Sequence, residues 1–296
     1  MKFALTGATG FLGRKVVARL LDAGHEVHAL GRRRPSDTRA EYFWWDTTKE
    51  PMDVSIAGTD VVIHLAGEPV AQRWNDEVKR KIRDSRVLGT RNLVSAIAKV
   101  KNPPRVLVSA SATGYYGDRG EEILTEQSAP GQGFLSEVCI EWEREALQAE
   151  NLGLRVALIR TGLVLGPDGG ALEQMLPPFR LGLGGKLGDG KQWMSWIHVD
   201  DQVSVLLHAA ERDNAAGPLN GVAPEPVRNE EFTKTLGQAL GRPTILPAPK
   251  FGLRLMFGEM ADVVTTSQRV IPEATAASGF RWKYTDLGAA LEASVR

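Results

Sequence analysis

A single cysteine, Cys139, stands among 296 residues. That excludes an intramolecular disulfide and, with no Cys/His cluster at ligand spacing, a zinc site. A chain without disulfides fits a reduced, cytoplasmic compartment. Net charge is equally absent, since Lys+Arg 36 balance Asp+Glu 36. Nothing in that balance draws the chain to a polyanion, which argues against a dedicated nucleic-acid binder. No apolar run approaches the roughly 20 residues that a spanning helix needs. The start, MKFALTGATGFLG, has too short an apolar stretch for a secretory leader, and its glycines fall where a folded motif needs them. Internal repeats and low-complexity tails are missing as well. The expectation is a soluble protein with no membrane and no nucleic-acid partner.

What the chain does have, up to about residue 161, is alternation. The apolar runs KFALT, HEVHAL, YFWW, DVVIHLA, RVLVSA and LRVALIR are separated by amphipathic stretches, the pattern of an α/β protein whose parallel sheet is covered on both faces. FLGRKVVARLLDAG places Leu12, Val16 and Leu20 on one helical face and stops at Gly24. Further helices are expected over 75–100, with Val78, Ile82, Leu93 and Ile97 inward, and over 134–149, burying Phe134, Val138, Trp142 and Leu147. Helical crossovers of this kind give right-handed βαβ units. Beyond Gly166-Pro167 the texture becomes dense in glycine and proline, which marks the start of a smaller, discontinuous lobe. There VDDQVSVLLHAAER and NEEFTKTLGQALG read as helices, the latter with Asn229 as N-cap, and FRWKY as a strand before a terminal helix. The expected division is 1–166 for the first domain, to which later segments return in part, and 167–296 for the second, including a C-terminal domain from about 247.

The strongest local motif is Thr6-Gly7-Ala8-Thr9-Gly10-Phe11-Leu12-Gly13, between the first strand and the first helix. Gly7 permits the tight turn, Gly10 lets backbone approach a pyrophosphate, and Gly13 lets helix pack on strand. The helix N-terminus adds positive potential. With Thr9, Phe11 and Leu12, these residues predict a dinucleotide site in a Rossmann-type doubly wound sheet. The second strand ends in Gly31-Arg32-Arg33-Arg34, where an NAD-selective site places an acidic residue. Arginine there suits the 2′-phosphate of NADP(H) through charge-assisted bonds, the competing reading being a solvated basic turn.

These residues, with HLAG at 64–67, the loop VSASATGYYGD at 108–118, RTGLVLGP and WIHVDD, resemble the extended short-chain dehydrogenase/reductase family. GEPVAQRW, FRLGLGGKLGDGKQWMSWIHVDD and LNGVAPEPV resemble more narrowly its atypical "epimerase family protein" branch, with a C-terminal domain of unknown function. The resemblance covers nearly the whole chain. It implies a Rossmann domain, NADP(H) as cofactor, and an epimerase or oxidoreductase acting on a small molecule. Leu65, Ala66 and Gly67 then line the cofactor, and Arg160, closing the sixth strand, joins the cofactor-side residues. Arg86 stands where the family carries an asparagine; it reaches a cofactor phosphate, a substrate anion, or a surface partner such as Asp84. The helices near 75–100 and 134–149 resemble those that pair in dimers of the family, so a homodimer is one expectation and a solvated charged face the other.

Ser111 matches the serine that orients substrate in related enzymes, and Thr113 a threonine near it. The family's Tyr-x-x-x-Lys pair, however, is Phe134-Leu135-Ser136-Glu137-Val138 here. Phe134 has no ionisable proton and Val138 cannot depress a neighbour's pKa. Loss of a positioned acid or base typically removes about 10²- to 10⁴-fold in rate without touching cofactor binding. Tyr115 and Tyr116 are the substitute candidates, with Tyr116 carried forward beside Ser111; a phenol there needs a nearby cation, for which Lys186, Lys191 and His198 are available. The opposite expectation is that the tyrosines are packing residues. His64 and His198 are expected to brace strand ends. Trp193 and Trp196 either line a substrate pocket or fill a core, and Glu68 and Arg73 either face the cleft or face water. The alternative function is a non-catalytic sensor of NADPH occupancy.

Overall fold

The computed structural model describes residues 1–248, 251 and 258–295. Its centre is a seven-stranded, all-parallel sheet. The strands are β1 (Lys2–Thr6), β2 (Glu26–Gly31), β3 (Glu41–Trp44), β4 (Val61–His64), β5 (Val106–Ala112), β7 (Arg155–Thr161) and β11 (Gly217–Gly221), in the order β11-β7-β5-β4-β1-β2-β3. The order reverses between β1 and β4, which opens a crevice at the carboxyl ends of those two strands. The near-continuous apolar character of β1, β4 and β5 follows from burial on both faces.

Two separate apolar cores cover the sheet. On one face α1 (Phe11–Asp22) and α5 (Val199–Glu211) bury Val16, Val17, Leu20, Val203 and Leu206 against Phe3, Leu5 and Ile63. On the other, α2 (Asp76–Ile97) and α3 (Phe134–Leu147) bury Leu93, Ile97 and Ala146 against Ala4, Val62 and Leu107. Alternate residues of each strand thus serve opposite layers. Asn75 caps α2 through its side chain, which accepts from Val78 N at 2.8 Å.

The region after residue 166 departs from its expected reading in three places. Residues 170–180 form α4 (Gly170–Arg180) despite Pro177 and Pro178. The strand expected at 280–284 does not form; Trp282 instead donates its indole N–H to Val222 O at 2.8 Å. Asn229 is the first residue of α6 (Asn229–Leu240) rather than its cap, because its Oδ1 is spent on Leu187 N at 2.8 Å. The seventh strand, β11, reads GPLNG and carries no periodic apolar signal. It is a strand because β7 pairs with it over five residues. Chain beyond 166 therefore returns to the first sheet through α5 and β11.

Glu126 ties the C-terminal segment to this body. Its buried carboxylate accepts from the N–H groups of Asn220 at 3.0 Å, Ala274 at 3.0 Å and Thr275 at 3.2 Å, and from the Thr275 hydroxyl at 3.3 Å. Glu126→Ala strands these donors away from water, and the expected loss is about 3 kcal/mol or more. Urea unfolding of wild type and variant at pH 7 measures it.

Candidate functional site

The crevice between β1 and β4 is built by the loop from Thr6 to Gly13. Gly7 adopts φ +71° and donates to Leu30 O at 3.2 Å; a side chain there would also strike the Leu65 carbonyl, 2.8 Å from an added Cβ. Gly13 is required for close approach, since a Cβ on it would overlap the Gly7 carbonyl oxygen. Gly10 opens α1 with no side-chain cap, so the helix's first N–H groups remain available for an anion. Thr9 and Gly10 are exposed while Phe11 and Leu12 are partly covered. The Phe11 ring lies against Gly166, Gly169 and Gly170, and Arg14 donates to Asp168 O. The second lobe therefore begins directly over the loop.

At the end of β2, Arg32 and Arg33 are exposed and make no hydrogen bond or ion pair among the described residues, whereas Arg34 lies over the Tyr42 ring. Gly31 pairs with Trp44 of β3. Leu65, Ala66 and Gly67 follow β4 on the other side of the crevice. The expected loop, arginine and strand-end residues thus surround one opening.

A buried chain of hydrogen bonds holds these two strand ends together. Thr6 Oγ1 accepts from Leu65 N at 3.1 Å and Ala66 N at 3.2 Å, so its own proton goes to His64 Nδ1 at 2.7 Å. That assignment leaves the His64 proton on Nε2, which donates to Thr90 Oγ1 at 3.0 Å. Burial, aided by the Arg86 charge, pushes the His64 pKa down to about 3. The imidazole is neutral, as the chain requires, and it braces the strand end as expected.

The serine and tyrosine loop behaves differently from its expected role. Ser111 is buried and donates to Glu143 Oε1 at 2.6 Å. Arg160 grips the same carboxylate, Nε to Oε1 at 2.9 Å and Nη2 to Oε2 at 2.8 Å. Its Nη1 reaches the Tyr116 hydroxyl at 3.1 Å and Glu126 O at 3.2 Å. Tyr116 donates in turn to Asn220 Oδ1 at 2.7 Å, and Asn220 Nδ2 to Ile271 O at 2.9 Å.

Three assignments change accordingly. Tyr116 is 0% exposed, and burial pushes its pKa up to about 12, so it is a packed phenol and not a proton donor to a ligand. Arg160 is committed to Glu143 and is removed from the cofactor-side residues. Ser111 gives its proton to protein rather than to substrate. The cation beside Tyr116 is Arg160, not Lys186, Lys191 or His198.

Two hydroxyls of the loop remain open. Thr113 and Tyr115 make no side-chain hydroxyl hydrogen bond among the described residues, and Tyr115, partly exposed, lies 3.5 Å from Arg160 Cζ at its ring centre. Phe134 meets Trp74 edge-on at 5.3 Å, and Val138 is buried. Trp196 is core, whereas Trp193 lies between Arg228 and Arg269. His198 caps α5 by accepting from Asp200 N at 3.2 Å. Arg86 does not pair with Asp84, which is nearest Arg83. Glu143 escaped the sequence reading because nothing local separates it from Glu137, Glu141 and Glu145 on the same helix. Thr6 and Thr90 escaped because single threonines carry no pattern.

The His64 chain has a measurable consequence. The unfolded chain takes up the His64 proton near pH 6.5 and the folded chain only near pH 3. Stability therefore falls as pH drops through that window, by at most about 1.4 kcal/mol per pH unit from this group. His64→Leu is expected to be less stable at pH 7, with the deficit narrowing toward pH 5. Urea midpoints for both proteins at the two pH values test this; a deficit that widens on acidification would contradict a neutral buried imidazole.

The geometry agrees with what the chain is similar to. The model of the NAD dependent epimerase/dehydratase family matches residues 3–220, and a domain of unknown function, DUF1731, matches 248–294. An Arabidopsis thaliana relative, "Epimerase family protein SDR39U1 homolog, chloroplastic", is 43% identical over 99% of this chain and 86% of its own length. Epimerase family protein YfhF of Bacillus subtilis is 38% identical over 98% and 97%. The crystal structure of human epimerase family protein SDR39U1 (isoform2) with NADPH superimposes with a TM-score of 0.88 at 35% identity, covering 99% of this chain and 98% of the other. MoeE5 in complex with UDP-glucuronic acid and NAD, at 23% identity and a TM-score of 0.82, shares the fold. The chain is a member of the NAD dependent epimerase/dehydratase family, its epimerase domain followed by DUF1731.

Proposed function

We propose that the protein binds NADP(H) across the crevice between β1 and β4 and acts on a small molecule as an oxidoreductase or epimerase without the usual Tyr-x-x-x-Lys pair. The observation that carries the cofactor choice is the exposed pair Arg32 and Arg33 at the end of β2, neither of which makes a hydrogen bond or ion pair among the described residues, with Asp46 feeling Arg32 only at longer range. Two guanidinium groups there suit a 2′-phosphate, and no carboxylate occupies the end of β2 to receive a ribose hydroxyl. The NADPH bound to the human relative supports the same reading. Residues 1–166 would hold the cofactor with the help of α5 and β11, and residues 167–296, including the C-terminal domain from about 247, would supply the substrate side. The single, buried, free Cys139 supports a reduced cytoplasmic setting.

With Tyr116 and Ser111 both sequestered, Tyr115 and Thr113 are the hydroxyls left to meet a substrate. The second reading, a sensor of NADPH occupancy that does no redox chemistry, is favoured by that same sequestration. The Ser111–Glu143–Arg160–Tyr116 network ends on Asn220 and Ile271, beside the C-terminal segment. A change at the cofactor site would therefore have a physical route to that segment.

Calorimetric titration with NADPH and NADH is expected to show NADPH preferred in wild type and the preference lost in Arg32→Ala, with a charge-assisted contact worth roughly tenfold or more in Kd. Equal binding of both cofactors would defeat the 2′-phosphate argument. Deuterated NADPH incubated with a metabolite extract then separates enzyme from sensor. Label transfer that survives Tyr116→Phe and falls in Tyr115→Phe is expected for the enzyme. Tight binding with no transfer at any pH identifies the sensor.

A further inference from the structure

Arg86 is a partly buried guanidinium that makes no ion pair among the described residues, the Glu68 carboxylate reaching it only at longer range. Its Nη1 is occupied, donating to Glu68 O at 2.9 Å and Ile82 O at 3.1 Å. Its Nε and Nη2 have no hydrogen-bond partner among the described residues. That Nε–Nη2 edge is the one that elsewhere in this protein grips a carboxylate two-handedly. Arg160 uses it on Glu143, Arg91 on Glu145 and Arg119 on Glu122. Arg86 holds the same edge empty in a less hydrated place, where an unpaired charge is costly.

The surroundings hold the charge in place without an ion pair among the described residues. The guanidinium lies over the Trp142 ring, 5.2 Å from its centre. The Trp142 Nε1–H is itself buried without an acceptor among the described residues. Cys139 does not serve as counterion, because burial pushes its thiol pKa up to about 12 and keeps it neutral. Burial lowers the Arg86 pKa, and the Glu68 carboxylate opposes that only in part. Gly67 is the remaining wall: a Cβ there would come within 3.1 Å of Arg86 Cζ and 3.3 Å of Nη2. The missing side chain lets the guanidinium lie against the strand end at the mouth of the crevice.

Arg86 lies on the α2 and α3 side of the sheet. Its neighbours come from the end of β4, from α2 and from α3. The phosphate loop leads into α1, on the opposite face of the sheet. On the α3 side Phe134 and Val138 offer no charge, and Glu143 is already spent on Arg160 and Ser111.

We infer that Arg86 is the anion receptor for the substrate, and that the substrate of this site carries a carboxylate or an equivalent planar oxyanion held by the Nε–Nη2 edge. The inference rests on the proposed cofactor reading and deepens it. A planar two-oxygen anion matches the fork geometry that Glu143 and Glu145 already display with their own arginines. A cofactor phosphate is the other source of the same chemistry, and the test tells the two apart.

Calorimetry would be run on wild type, Arg86→Gln and Arg86→Lys in two arms: NADPH into free protein, then acetate, malonate and benzoate each into protein saturated with NADP⁺. The expected result is NADPH affinity preserved within about threefold in the variants, and carboxylate affinity weakened about tenfold or more in Arg86→Gln and less in Arg86→Lys. The inference is overturned if NADPH affinity collapses in a folded Arg86→Gln, which would make Arg86 a phosphate ligand. It is also overturned if no carboxylate binds loaded wild type, or if binding is unchanged in the variants. Should Arg86→Gln fail to fold, Arg86→Lys carries the test, since it keeps the charge and loses the fork. Wild type that fails to bind NADPH would instead defeat the functional reading, and the first arm shows that separately.

Discussion

The ion pair between Arg160 and Glu143 is the interaction on which the other parts of the site hang. Both side chains are almost fully buried, at 4% and 6% exposed, and each is useless without the other. A buried guanidinium stripped of its carboxylate costs roughly 3–5 kcal/mol, so the two helix and strand positions are held in register by that penalty. From this pair the remaining geometry follows. Glu143 takes the proton of Ser111, Arg160 supports the phenol of Tyr116 and the backbone of Glu126, and Tyr116 holds Asn220. Through Asn220 and Glu126 the network reaches Ile271 and the helix at Glu273–Ala277. One charge pair thus links β5, α3, β7, β11 and the C-terminal segment.

This arrangement changes what absence of the Tyr-x-x-x-Lys pair means. Phe134 and Val138 could have been isolated replacements with the chemistry moved to a neighbouring phenol. Instead the most conspicuous neighbouring phenol, Tyr116, and the serine that resembles a substrate-orienting one are both absorbed into a structural network. Burial raises the Tyr116 pKa because desolvation of the phenol outweighs the lowering by the adjacent Arg160. Arg86 differs, since its field is felt at His64 and it makes no ion pair among the described residues, with the Glu68 carboxylate acting on it only at longer range. The two arginines look alike in sequence and have opposite electrostatic standing.

The glycine-rich turn after β1 was legible from the sequence. Gly7 and Gly13 announce themselves because a tight turn and a close helix–strand approach leave only glycine sterically possible there, and these demands act within eight residues of chain. β1, β2, β4, β5 and β7 were legible for a similar reason, since burial on both faces writes a continuous apolar run, and β3 as a run of aromatic residues. β11 was not, because GPLNG becomes a strand only through pairing with β7. FRWKY failed in the other direction, an apolar and aromatic run that its surroundings use as packing and hydrogen-bond donors rather than as a strand.

The sequence by itself determined the doubly wound sheet, the glycine-rich turn between β1 and α1 and the apolar side chains at 134 and 138, all of which depend on contacts close along the chain or on the identity of a single side chain. Only the tertiary structure decided which polar residues are spent and which are open. Ser111 meets Glu143 across 32 positions, Tyr116 meets Asn220 across 104, and Glu126 meets Thr275 across 149. A hydroxyl or guanidinium reads the same in sequence whether it faces a ligand or a buried carboxylate. Its role is set by desolvation and by the partner the fold brings to it, and neither is written locally.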